Sequence, residues 1–282
     1  MEHVEARIIF EYAHLGIFLV AVKFMRRFKG YLIDLDGTMY RGTEVIAEAR
    51  DFVKRLISAN IPYLYVTNNS TKTPEAVAQK LREFDIPAKK EDVFTSAMAA
   101  ANYIRDENSS AKVFMIGEEG LKTALLNQHL HLAKEEEAVD YVVIGMDQQI
   151  NYEKLAAACL AVRKGASYII TNGDTALPTE RGLLPGNGAL SSVVTVSTQT
   201  KPLVIGKPES IIVNQAIKLL GIDKKDVAMV GDNYYTDILA GIRAGIDTIL
   251  VHTGVTTKEE LMAIEESPSF TVDSLSDWKI IK

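Results

Sequence analysis

The sequence predicts an α/β protein: a parallel sheet flanked by helices, with a smaller α/β unit inserted into it. Two observations carry this expectation. From residue 31 onward, short apolar runs alternate with segments of helical apolar spacing, the pattern of strands joined by helical crossovers. Polar, turn-forming stretches at residues 106–111 and 197–202 then bracket the middle of the chain as links between two units.

The elements follow in order. Residues 31–35 read as a buried strand. Val45, Ile46, Ala49, Phe52, Val53, Leu56 and Ile57 recur at helical spacing. A second strand covers 63–66. Thr73-Pro74 opens the next helix as N-cap and first-turn proline, with Val77, Leu81 and Phe84 on its apolar face. A strand at 93–95 and a helix near 97–105 complete the first half. Further strands are expected at 113–116, 141–144 and 168–171, separated by helices at 121–128 and 155–164. The first architecture then resumes: strand 203–205, helix 209–220, strand 227–230, helix 236–244 and strand 248–251. The expected organisation is a core of residues 25–107 and 200–282 and an inserted unit of residues 108–199. Removing the insertion should leave a folded core.

The chain has 282 residues, 47% hydrophobic and 24% charged, with a formal net charge of −6 and no Lys/Arg-rich run. That balance argues against a general nucleic-acid-binding surface. The single cysteine, Cys159, lies within a helical pattern and reads as a buried structural thiol. Residues 8–10 and 15–22 are apolar, but Glu11, Tyr12 and His14 interrupt them, so the run falls short of the roughly 20 residues that span a bilayer. The start carries Glu2, His3 and Glu5 rather than a basic secretory leader. Met25 is therefore expected to be the biological start, with residues 1–24 as upstream translated sequence; the rival is an amphipathic arm on the body.

Four segments at strand ends carry chemistry. Asp34-Leu35-Asp36-Gly37-Thr38 closes the first strand, where ligands of parallel sheets bind. Two carboxylates separated by one residue can divide nucleophilic and proton-transfer work; the structural alternative is an Asx-stabilised turn. Thr67-Asn68-Asn69-Ser70 offers a hydroxyl, amides and backbone N–H groups to phosphoryl oxygens, or is simply a polar turn. Gly206-Lys207-Pro208-Glu209 places a lysine over the nucleophile, or at a surface helix entrance. Gly231-Asp232-Asn233, followed by Thr236-Asp237, supplies a hard oxygen ligand for Mg²⁺, or a helix N-cap. Taken together, the four are expected on one edge of one sheet.

In this combination the sequence resembles the haloacid dehalogenase superfamily. Asp34–Thr38 matches its D-x-D-G-T motif, and Thr67, Lys207 and Gly231–Asp237 match the later motifs in order. The resemblance covers residues 28–260 without departure at a catalytic position. Thr67-Asn68-Asn69-Ser70, Thr95-Ser96-Ala97, Thr171-Asn172-Gly173-Asp174, Pro185-Gly186-Asn187-Gly188 and Gly231-Asp232-Asn233-Tyr234-Tyr235-Thr236-Asp237 are similar to the NagD and p-nitrophenyl phosphatase branch. Spacing agrees: about 30 residues separate Asp36 from Thr67, and about 140 separate Thr67 from Lys207. The implied fold is a Rossmann-like parallel sheet core with an inserted α/β type-2 cap.

The resemblance implies a Mg²⁺-dependent phosphatase acting on small phosphate monoesters through an aspartyl phosphate. Asp34 is the implied nucleophile and Asp36 the acid and base. The Mg²⁺ ligands would be the Asp34 carboxylate, the Asp36 backbone carbonyl and Asp232. Thr67, Asn68, Asn69 and Lys207 would bind the phosphoryl group, with Asp237 and Asn233 behind them and Asp237 orienting Lys207 or the metal waters. Asn172, Asp174 and Arg181 fall near the cap–core junction or in turns. The expected partner is a small phosphorylated metabolite such as an acid-sugar phosphate, with p-nitrophenyl phosphate as surrogate. No nucleic-acid or membrane partner is expected; a homodimer is left open, and the expected location is cytoplasmic. Asp36 argues against a dehalogenase, and the short first interval against a phosphomutase. The remaining alternative is a non-catalytic sensor of phosphorylated metabolites.

Overall fold

The computed structural model describes residues 26–134, 137–179 and 181–281; the expectation for residues 1–24 lies outside the described residues. A six-stranded sheet runs in the order Val93–Thr95, Tyr63–Thr67, Gly30–Ile33, Val227–Gly231, Asp247–Val251, Phe270–Val272. Every neighbouring pair is parallel. The first strand in the chain thus lies in the middle, between the second and a much later one. Such a reversal of strand order opens a crevice at the carboxyl ends, and Asp34 stands there. Successive residues of the Gly30–Ile33 strand face opposite sides. Tyr31 and Ile33 join a cluster with Phe52, Leu56, Leu81 and Trp278, while Leu32 joins Val66, Phe94, Met229 and Ile212. The Thr73 side chain accepts from the Ala76 N–H at 3.3 Å with Pro74 behind it, as the sequence predicts.

A second sheet has five parallel strands in the order Leu203–Val204, Ser167–Ile170, Tyr141–Ile144, Lys112–Ile116, His131–Leu132. One face packs against the helices Tyr152–Arg163 and Asn187–Thr198 through Phe114, Val142, Ile144, Ile170, Val162 and Val194. Buried Cys159 belongs to this layer. Here the structure departs from expectation. The strand at Leu203–Val204 pairs with Ser167–Ile170 and not with the first sheet. Leu203 is exposed and Val204 only half-buried, so it is the ladder to Ile169 and Ile170, and not burial of the strand's own side chains, that holds it at this edge.

The other face of the second sheet does not stand free. Val113, Val143 and Ile169 belong to the same apolar cluster as Ala97, Ala100 and Ile104 of the helix Ser96–Glu107 and as Ile205 and Ile212. One continuous core therefore serves both sheets, and a first sheet without residues 108–199 would have to fold with part of that core exposed.

Several elements escape the sequence reading, among them one helix, one hairpin and two short strands, His131–Leu132 and Phe270–Val272. The helix Asn187–Thr198 is rich in β-branched residues, which have low helix propensity; fully buried Val194 anchors it. The hairpin Ala176–Thr179 with Gly182–Pro185 and the edge strand Phe270–Val272 lie in polar surroundings without a clear period. Among the described residues no helix is long and apolar enough to cross a membrane.

Candidate active site

The Asp34 N–H still belongs to the sheet ladder, donating to the Val230 carbonyl at 2.9 Å. Gly37 then turns the chain with φ +85°, a conformation glycine adopts without penalty. The turn leaves Asp36 exposed while Asp34 stays buried. Gly37 is also required by space, since a Cβ there would lie 2.3 Å from Asp232 Oδ2. Asp232, at the end of the adjacent strand, is enclosed. Thr38 Oγ1 donates to its Oδ1 at 3.0 Å and the Val255 N–H to its Oδ2 at 2.7 Å. The Thr256 N–H donates to its carbonyl at 3.1 Å, and a Cβ on Gly254 would lie 1.9 Å from Oδ2. The sequence reading does not include this 252–256 loop; the available signal is Gly254 just beyond a strand end.

Lys207 follows the Leu203–Val204 strand, so it approaches from the second sheet. Three of the four predicted segments therefore end strands of one sheet, and the fourth is brought to them across the junction. Lys207 is 2% exposed. The Nζ pairs with Asp34, donates to Asp237 Oδ1 at 2.7 Å and donates to the Val66 carbonyl at 3.1 Å. An ammonium has three donors, and all three are used. The other Asp237 oxygen accepts from the Asn233 N–H at 3.1 Å. Asp237 thus orients Lys207, and Asn233 caps the next turn by accepting from the Tyr235 N–H at 3.0 Å.

The 67–72 segment forms the neighbouring wall. Thr67 Oγ1 accepts from the Asn69 N–H at 3.1 Å, and Asn69 Oδ1 accepts from the Thr71 and Lys72 N–H groups, each at 3.0 Å. The Asn69 side chain is thereby a turn former. Asn68 faces Lys207 and, across the junction, Asp174. Asn172 donates to the Asn68 carbonyl at 2.8 Å. Arg181 lies on the exposed hairpin, away from these contacts.

Burial is the main force on these charges. It pushes the Asp34 carboxyl well above its ordinary range, Asp237 and Asp232 add repulsion, and Lys207 opposes them. Asp232 is pushed up to about 6 by burial, then by Asp237. Burial alone would lower the Lys207 ammonium, but Asp237 and Asp34 outweigh it and raise it. Asp36 is raised by desolvation of its carboxyl, with Lys80 opposing. Carboxylate oxygens of Asp34, Asp232 and Asp237 lie within 4.8 Å of one another, all buried. One ammonium does not offset three such groups, so a hard divalent cation fits the cluster. All three also accept protein hydrogen bonds: Asp237 from Lys207 and Asn233, Asp34 from Lys207, and Asp232 from Thr38 and Val255. The Asp36 side chain lies outside the cluster; its backbone carbonyl accepts no backbone hydrogen bond among the described residues.

Comparison with known proteins gives the family. Residues 31–131 match the model of a haloacid dehalogenase-like hydrolase family, and residues 204–278 that of a HAD-hydrolase-like family. The chain is 56% identical over 254 residues to the 5'-nucleotidase YutF of Bacillus subtilis, covering 90% of this chain and 98% of that protein. It is 58% identical over 252 residues to an acid sugar phosphatase of Staphylococcus haemolyticus, covering 89% and 95%. A mutant of a thermostable p-nitrophenylphosphatase from Bacillus stearothermophilus superposes with a TM-score of 0.84 at 57% identity, covering 91% of this chain and all of that one.

Proposed function

The chain belongs to the haloacid dehalogenase-like hydrolases and is a phosphoric monoester hydrolase, and on that premise we propose that it hydrolyses small phosphate monoesters through a phosphorylated Asp34. The observation that carries this reading is the buried Lys207 ammonium held against Asp34 at the mouth of the parallel sheet. The pair orients a carboxylate and sets a positive charge where phosphoryl oxygens would gather. Lys207 holds one Asp34 oxygen, so the other forms the bond to phosphorus as the ester oxygen leaves. Asp36, exposed at the turn and with its carboxyl raised by desolvation, gives the leaving alkoxide its proton. The resulting Asp36 carboxylate then takes a proton from water. The water oxygen bonds to phosphorus, the Asp34–phosphorus bond breaks, and phosphate departs. Thr67 and the Asn68–Asn69 segment bound the phosphoryl pocket.

Phosphatases of this family use a divalent metal. For this chain the proposed ion is Mg²⁺, with Asp34, Asp232 and the Asp36 carbonyl as its protein ligands. When bound, it would supply positive charge against the phosphoryl oxygens. The relatives named acid sugar phosphatase and 5'-nucleotidase point to small phosphorylated metabolites. Acid-sugar or other sugar phosphates are the proposed class, with p-nitrophenyl phosphate as surrogate. The inserted unit, residues 108–199, is proposed as the cap that shapes the leaving-group pocket. The test is turnover of p-nitrophenyl phosphate and a panel of phosphorylated metabolites, with Mg²⁺ and with chelator. Activity that needs Mg²⁺ is expected; no turnover, or full activity in excess chelator, refutes the reading.

A further inference from the structure

We propose that Asn68 and Asp174 are positioning residues that fix Lys207 against Asp34, the Asn68 side chain serving the lysine rather than the phosphoryl group. The inference rests on the phosphoryl-transfer reading above and adds to it Asp174, a residue of the loop that follows the Ser167–Ile170 strand. Asn68 grips the Lys207 backbone at two points. Its Oδ1 accepts the Lys207 N–H at 2.8 Å, and its Nδ2 donates to the Lys207 carbonyl at 2.9 Å. The pair fixes the peptide planes on both sides of the Lys207 Cα. A carboxamide nitrogen has two hydrogens; the second faces the Asp174 carboxylate, with both oxygens at 3.2 Å. Both donors are therefore committed, and the oxygen cannot bind an anion.

The amide also has only one workable orientation. Turned over, Oδ1 would face the Lys207 carbonyl and the Asp174 carboxylate together, three oxygens without a hydrogen between them. Asp174 thus holds the amide in its useful sense. The rest of Asn68 is equally fixed, since its carbonyl accepts from Ser96 Oγ at 2.6 Å and Asn172 Nδ2 at 2.8 Å. Gly206 permits the close approach, because a Cβ there would lie 2.5 Å from both Asn68 Oδ1 and the Thr171 carbonyl. What remains is the Asn68 backbone N–H, which has no protein acceptor among the described residues. That group, not the side chain, is the donor open to a phosphoryl oxygen.

The test is a double-mutant cycle on p-nitrophenyl phosphate hydrolysis, with thermal melts to verify folding. Asn68→Ala should lower kcat on the order of tenfold with little change in KM, because a small misplacement of a catalytic group is costly. In a Lys207→Ala background it should cost less than about twofold, since residues acting as a unit are not additive. Equal losses in both backgrounds would overturn the inference and leave the phosphoryl-transfer reading standing; an unimpaired Lys207→Ala variant would overturn both. A second arm covers Lys207→Ala failing to fold or turn over measurably. Asn68→Asp puts an oxygen in place of Nδ2, and adding Asp174→Asn returns a donor to that contact. The double variant should recover several-fold in kcat over Asn68→Asp, a rough figure for one restored hydrogen bond. No recovery in folded protein overturns the assignment.

Discussion

Stripped of divalent cation, this protein should become more stable as the pH falls from 7 to 5. Asp232 is buried, and its carboxyl is pushed up from 3.8 to about 6 by burial and by Asp237. Between those values the folded protein keeps a proton that the unfolded chain has released, so stability falls as pH rises through the window. The shift is about two units, worth about 3 kcal/mol over the whole window at about 1.4 kcal/mol per unit. Only the upper part is crossed between pH 7 and 5, which recovers about 1.4 kcal/mol. For a chain of this size that raises Tm by roughly 3–5 °C. Asp34, raised by the same causes, acts in the same direction. The exposed carboxyls lowered by their neighbours, Asp85, Glu137, Asp223 and Asp273, oppose it only in more acid solution, where they take up protons. Saturating Mg²⁺ should flatten the pH dependence and stabilise the protein at pH 7, by about 2.7 kcal/mol at a hundredfold excess over Kd. Thermal melts from pH 5 to 7, in chelator and in Mg²⁺, read both effects. A chelated protein whose Tm stays level or drops toward pH 5 would refute the argument.

The two aspartates of the first motif should separate kinetically. Asp34→Asn should abolish phosphoryl transfer, because an amide cannot form the covalent intermediate. Asp36→Asn should release a burst of nitrophenol approaching one equivalent per site and then stall, with acid-quenched phosphate on Asp34. Its steady-state rate should fall on the order of 10²- to 10⁴-fold, and phosphate trapped on another residue would sink the assignment. Excising residues 108–199 should not yield a folded core. It removes Val113, Leu121, Leu125, Val143 and Ile169 from a shared cluster and uncovers Ala97, Ala100, Ile104 and Ile212. At about 1.5–3 kcal/mol per large apolar side chain, uncovering Ile104 and Ile212 alone costs roughly 3–6 kcal/mol, a large part of the roughly 5–15 kcal/mol that holds a domain together. A soluble, cooperatively melting core would contradict this.

Much of this protein was legible in its sequence because the information was local. Apolar periodicity located the strands at Val93–Thr95 and Tyr141–Ile144 to the residue, and Thr73-Pro74 marked a helix start. The residue types at Asp34, Thr67, Lys207 and Asp232 pointed to a chemistry, and of these Asp34 stands close to both Lys207 and Asp232. The tertiary structure decided what depends on distant neighbours. Leu203–Val204 went to the second sheet because the open edge at Ile169 and Ile170 takes up its backbone groups. Asn187–Thr198 became a helix against its β-branched composition because the second sheet buries Val194. Nothing in the run Thr67-Asn68-Asn69 says that the first amide clasps the Lys207 backbone while the second folds its own turn. Nor does the sequence alone say that the 252–256 loop closes over Asp232. Periodicity and residue chemistry are properties of a few consecutive residues, whereas the partner of a hydrogen bond is fixed only when burial brings remote segments together and leaves their polar groups no water to turn to.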